Sequence, residues 1–153
     1  MNIVEHGLYN IADTYFEKYR SNFLVDNKQE KRPYYFAIRD KDGIVWVIPL
    51  SSQTAAYKKK IDKDTENHGE CLFYHIGAVA GVERVFLVGN MFPVTDNYLK
   101  KPYTIAGAHY IVKDKNLVKE IHKRFSKYLR LVMNGKLRPT VDILGIKKDL
   151  LHR

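Results

Sequence analysis

From Asp114 onward the apolar residues Leu117, Ile121, Phe125, Tyr128 and Val132 recur at helical spacing, with Val118 and Leu129 on the flank of the same stripe. That period predicts a long helix burying one face. Asn134-Gly135 supplies its C-terminal stop, with Pro139 just beyond. Upstream the period shortens to that of strands. Tyr34-Tyr35-Phe36-Ala37-Ile38-Arg39 and Ile44-Val45-Trp46-Val47-Ile48-Pro49 flank Asp40-Lys41-Asp42-Gly43, and the Asp-Gly step predicts an antiparallel hairpin. Cys71 to Ile76 and Val85 to Val88 are further β-rich runs, bounded by Gly77, Gly81 and Gly89, and Tyr103 to Val112 adds one more. Near the N-terminus Ile11, Tyr15 and Tyr19 fall at i, i+4 and i+8, predicting a short helix over Asn10 to Arg20. The polar stretch Asn22 to Arg32 reads as a loop. Together these elements predict one α+β domain over residues 1–153: a twisted, partly closed, mainly antiparallel sheet with a helix at each end of the chain.

Charge changes the picture more than size does. The chain has 153 residues, 45% of them apolar, enough for one folded domain. It carries 26 basic against 17 acidic residues, a net +9, at which level a polyanion becomes the leading partner. Residues 113–153 hold 12 basic and 4 acidic groups, so nearly the whole excess lies there. On the proposed C-terminal helix, Lys119, Lys123, Lys127 and Arg130 fall together opposite the apolar stripe, and Lys136 and Arg138 extend the positive run. Such a rail repels itself, which a merely solvated face would avoid by interleaving acid, and counterion release favours phosphate binding. No apolar stretch approaches a membrane span, and MNIVEHGLYN lacks the basic and apolar regions of a secretory signal, so a cytoplasmic protein with no membrane partner is expected. The single Cys71 leaves no internal disulfide and no cysteine zinc site.

The segment with candidate chemistry ends the second hairpin strand: Pro49-Leu50-Ser51-Ser52-Gln53-Thr54, then Lys58-Lys59-Lys60. Hydroxyls donate to phosphoryl oxygens, and a nearby lysine can neutralise a phosphorane or act as base. On RNA the nucleophile is the substrate's own 2′-OH. Taken alone, Ser-Ser after a strand also fits a turn or helix cap, and a lysine triplet also fits a solvated loop. Competing chemistries find less. No spacing singles out two of the six histidines, and Asp40-Lys41-Asp42 and Asp62-Lys63-Asp64 read as solvated turns rather than a two-metal cluster. Cys71, in an apolar run, reads as a buried inert thiol.

The strand end Ile48-Pro49-Leu50-Ser51-Ser52 followed by lysines resembles the signature of the ToxN/AbiQ-type endoribonuclease toxins of type III toxin–antitoxin systems, nearest their CptN branch. Leu8-Tyr9-Asn10-Ile11 with Tyr15, Asn90-Met91-Phe92-Pro93-Val94, and Leu131-Val132-Met133-Asn134-Gly135-Lys136 resemble further family segments in family order. The resemblance implies a MazF/Kid-like sheet and metal-independent RNA cleavage without a cofactor, to 2′,3′-cyclic phosphate and 5′-OH ends. It also implies cellular RNA substrates, an inhibitory antitoxin RNA of pseudoknot repeats processed by the toxin, and a closed toxin–RNA hetero-oligomer. By the same resemblance Ser51 and Ser52 are the paired hydroxyls and Tyr15 orients substrate. The family's lysine slot, two residues after the second hydroxyl, is Thr54 here. Lys58 is therefore the expected catalytic lysine, with Lys59 and Lys60 as alternatives or RNA contacts. A non-catalytic RNA-binding protein or regulator, using the basic helix and an aromatic sheet for stacking, is the other reading.

Overall fold

A computed structural model of the chain describes residues 1–22 and 24–152. Its strands are β1 (Leu8–Ile11), β2 (Tyr34–Arg39), β3 (Val45–Ser51), β4 (His75–Val79), β5 (Val82–Phe86), β6 (Phe92–Val94), β7 (Leu99–Pro102), β8 (Thr104–Ile105) and β9 (Ala108–His109). Four α-helices join them: α1 (Asp13–Lys18), α2 (Thr54–His68), α3 (Lys115–Met133) and α4 (Ile143–Leu151).

Seven strands form one antiparallel sheet in the order β4-β5-β3-β2-β1-β7, with β6 also paired to β3. β3 is the hub. It pairs with β2 from Val45 to Pro49, while its other edge takes β6 at Val45–Val47 and then β5 at Leu50 and Ser51. Both faces of β3 are buried, which is why it reads as an unbroken apolar run. The sheet is open, its path ending at β4 and β7, where a partly closed one was expected.

α3 follows its periodicity: Leu117, Ile121, Phe125, Tyr128 and Val132 are its buried residues, and Asp114 caps it by accepting from the Asn116 and Leu117 amides. Phe125 meets Trp46 edge-on, with ring centroids 6.0 Å apart. Gly77 lets α3 approach β4, since a Cβ there would stand 2.4 Å from Leu117 Cδ1.

Three expectations are corrected. Asn10 and Ile11 belong to a strand, because Leu8–Ile11 is buried on both faces between β2 and β7; the helix is only Asp13–Lys18. The 103–112 run is interrupted by Ala106 and Gly107, both at positive φ, and folds as the small β8–β9 hairpin. The 71–76 strand starts later, at His75, leaving Cys71 buried in the segment before it with its thiol pushed up by burial. Beyond the expected elements the chain also forms α4, which buries Ile143, Ile146 and Leu150. Its Lys147 pairs with Asp40 and Asp42, both at 2.9 Å, and Asp40 also accepts from the Trp46 indole. The hairpin turn expected to be merely solvated is thus a clasp for α4. Among the described residues no helix is long and apolar enough to cross a membrane.

Candidate functional site

The antiparallel register decides where the site forms. Tyr34 lies opposite Pro49 and Leu50 N–H donates to Pro33 O, so the residues entering β2 stand beside the residues leaving β3. The chain before β2 is therefore delivered to Ser51 and Ser52.

That entering segment has unusual backbone. Lys28, Gln29 and Glu30 all have positive φ, between 54° and 66°, a single left-handed turn. L-residues adopt it at a cost of roughly 1–2 kcal/mol each, so surrounding contacts must impose it. Buried Asn27 is the anchor: its amide donates to Ile11 O at 2.9 Å and Asp13 Oδ1 at 2.8 Å, and its oxygen accepts from the Tyr34 hydroxyl. Glu30 accepts from the Asp13 amide and pairs with Lys100, which holds its carboxyl below the usual range. Arg32 closes the turn. Its Nε donates to Asp26 O and its Nη1 to Leu50 O, each at 2.7 Å, fixing the guanidinium at the end of β3.

The result is a cleft of about 310 Å³ lined by Ser51, Ser52 and Gln53 on one side and by Lys28, Lys31 and Arg32 on the other. Arg84 of β5 and Tyr103 complete it. Two serine hydroxyls and four cations line the cleft, and among the described residues no carboxylate does. Ser51 Oγ accepts from the Gln53 amide at 3.2 Å, which leaves its own proton to donate. α2 begins beside the cleft with no acidic residue in its first turn, so the positive end of its peptide dipole adds to the field. An adjoining cavity of about 560 Å³ shares Lys31 and Tyr103 and continues past Lys101, Thr104 and Asn10.

The other expected site residues lie elsewhere. Tyr15 is wholly buried, stacked on Phe92, its hydroxyl donating to Pro93 O at 2.7 Å; burial raises its pKa well above the ordinary tyrosine value. It sits in the core rather than in the cleft. Lys58, Lys59 and Lys60 stand exposed on α2, a full helix rather than a loop, and none lines the cleft; Lys60 Nζ lies 4.9 Å from the centroid of the Tyr57 ring. On α3, Lys119, Lys123 and Arg130 are exposed, while Lys127 is paired with Glu70. Lys136 and Arg138 are exposed beyond α3. The cations missed from the sequence, Lys28, Lys31, Arg32 and Arg84, carried one legible signal. The basic run before β2 belongs beside the end of its hairpin partner.

No family model matches the chain. A fungal protein, the flavin-dependent halogenase ptaM of Pestalotiopsis fici, is 25% identical over 156 residues, covering 93% of this chain. The chain spans only 28% of that protein's length. Its antiparallel sheet has no Gly-x-Gly-x-x-Gly turn for a dinucleotide among the described residues. Two solved structures share the fold. One, described as a bacterial antiviral system regulated by a processed non-coding RNA, superposes with a TM-score of 0.65 at 14% identity, covering 94% of this chain and 96% of that one. The other is AbiQ, a lactococcal anti-phage endoribonuclease belonging to the type III toxin–antitoxin system, with a TM-score of 0.58 at 19% identity over 81% of this chain and 80% of its own. Superposition over most of both chains gives this chain the fold of the ToxN/AbiQ-type endoribonuclease toxins.

Proposed function

We propose that this chain is an endoribonuclease toxin of a type III toxin–antitoxin system, acting on cytoplasmic RNA in phage defence. The observation that carries the reading is the convergence of Ser51 and Ser52 with Lys28, Lys31, Arg32 and Arg84 in one cleft. In the proposed reaction the substrate 2′-OH attacks the adjacent phosphorus; the O2′–P bond forms as the P–O5′ bond breaks. O2′ gives up a proton and O5′ gains one, leaving a 2′,3′-cyclic phosphate and a 5′-OH. Ser51 and Ser52 donate to the non-bridging oxygens. Arg32, already oriented by two main-chain carbonyls, and Lys31 stabilise the charge that accumulates on them. These two take the part expected of Lys58, because they line the cleft. A donor set of hydroxyls and cations supports a metal-independent reaction. The inhibitor in this reading is a pseudoknotted antitoxin RNA that the toxin processes and with which it forms a closed assembly, its phosphates meeting Lys119, Lys123 and Arg130.

The test is incubation of purified protein with mixed-sequence RNA in EDTA, with mapping of product ends, beside the Ser52→Ala variant. Cleavage to 5′-OH ends that Ser52→Ala abolishes is the expected result. A magnesium requirement or 5′-phosphate ends would overturn the mechanism. Binding without cleavage would favour a non-catalytic RNA-binding protein, the reading suited to the exposed basic faces of α2 and α3.

A further inference from the structure

The cleft leaves two basic runs unused, Lys58–Lys60 on α2 and Lys136 with Arg138 beyond α3. A second cavity of about 310 Å³ shares no residue with the cleft; Arg138 lines it, and Lys60 Nζ lies 5.8 Å from the centroid of its Tyr74 ring. Its aromatic lining is Phe73, Tyr74 and Tyr128, and its polar lining is Asn90, Arg138 and Thr140. The rings are mutually braced: Phe73 lies edge-on to Tyr128 at 6.1 Å and tilted to Tyr74 at 6.4 Å. Tyr128 donates to Gly89 O at 3.2 Å, and Gly89 N–H donates to Phe73 O at 2.9 Å. Gly89 packs so closely that a Cβ there would meet Phe73 Cβ at 3.2 Å, so the cavity is held open by backbone and ring contacts.

The polar groups around those rings are uncommitted. The Asn90 amide, the Arg138 guanidinium and the Thr140 hydroxyl make no side-chain hydrogen bond among the described residues. The aromatic surface also continues outward. Tyr74 packs on Tyr57 of α2 at 4.7 Å, and Lys60 Nζ sits 5.8 Å from the centroid of the Tyr74 ring. α2 itself buries none of its residues over 15 positions. A polar helix with so little core contact, docked through a tyrosine and a lysine-capped ring pair, suits contact with a partner better than support of the core.

Aromatic walls with an amide, a hydroxyl and a guanidinium are the chemistry that holds a splayed-out nucleobase, by stacking and by hydrogen bonds to its edge. Flanking lysines supply the phosphate contacts. We propose that this cavity is a second, non-catalytic RNA site. It takes one unstacked base, its edge met by Asn90, Thr140 and Arg138, of an RNA whose phosphates meet the flanking lysines Lys58–Lys60 and Lys136. The inference rests on RNA being the partner, as in the proposed function, but not on the cleavage chemistry.

A fully 2′-O-methylated 20-nucleotide RNA of mixed sequence tests it, because it has no 2′-OH to attack. With 4-thiouridine at its uridines, ultraviolet crosslinks are mapped by mass spectrometry and affinity is read by fluorescence anisotropy. Crosslinks to Phe73, Tyr74 or Tyr128, in addition to the Ser51–Ser52 cleft, are expected. Tyr74→Ala should weaken binding about ten-fold, the loss of one stacked base, with the fold retained by circular dichroism. Arg138→Ala, at an exposed position that does not threaten folding, should weaken it several-fold. Crosslinks confined to the cleft, with both variants binding as the parent does, would overturn the second site while leaving RNA as the partner. Absence of binding and of crosslinks anywhere would overturn both.

Discussion

The Ser51–Ser52 cleft and the outer face of α3 both present cations, yet they are built in opposite ways. On α3 the charges are consecutive turns of one helix, each side chain on a flexible stem, and Lys127 is already paired with Glu70. In the cleft the cations come from the turn before β2 and from β5, and Arg32 is bound at two nitrogens to main-chain carbonyls. A flexible row of charge binds a polyanion and responds to salt. A pre-oriented guanidinium beside two hydroxyls can distinguish a transition state from a ground state, because it needs no rearrangement when charge develops. Difference in fixation, more than difference in charge, separates a candidate catalytic surface from a binding surface.

Four sets of variants would break or sharpen that contrast. The largest effect is expected at the fixed cation: Arg32→Ala should lower cleavage by about 10²–10³-fold in single-turnover assays, as removal of an oriented charge-stabilising donor does. A loss under ten-fold would mean that the cleft acts only as a binding surface. Next, Asn27→Ala should cost roughly 2–3 kcal/mol in urea unfolding, since it strands the buried Tyr34 hydroxyl and the Ile11 carbonyl. Cleavage should fall with it as the left-handed turn loosens. Full activity in this variant would show that Asn27 does not hold the turn.

On α3 the effects should be smaller and of another kind. Lys123→Glu should flatten the salt dependence of binding to a structured RNA, lowering the slope of log K against log salt by about 0.7–0.9 for each phosphate that the helix no longer neutralises. Lys127→Ala should change it less, because Glu70 already occupies that ammonium. Equal slopes for both variants and the parent would reduce the rail to a solvated face.

The smallest effect concerns pH. Burial, then the Arg124 charge, lowers the pKa of His75 below the ordinary imidazole value, with Glu120 opposing. The unfolded chain therefore binds the proton more readily, so the stability linked to His75 is present above about pH 6.5 and is lost as pH falls below it. Urea midpoints measured from pH 7 to pH 5 should decline less steeply in His75→Gln than in the parent.

The amino-acid order by itself determined the elements whose signal is local. α3 was legible down to its five buried residues and its stop, because a helix that buries one stripe writes that stripe at a fixed period. The β2–β3 pairing was legible for a similar reason, through alternation and an Asp-Gly turn. Ser51 and Ser52 were legible as the end of that hairpin, where the cleft forms. Tertiary structure alone decided which cations join them. Lys58 is seven residues from Ser51 in the chain but stands on a separate exposed helix, whereas Arg32 is 19 residues away and touches Leu50. It also moved Tyr15 from an expected site into the core, and it made Leu8–Ile11 a strand by burying both its faces. The physical reason is common to all three. Periodicity reports which side of an element is buried, but cross-strand register and the packing of non-local neighbours determine which polar groups share a cleft.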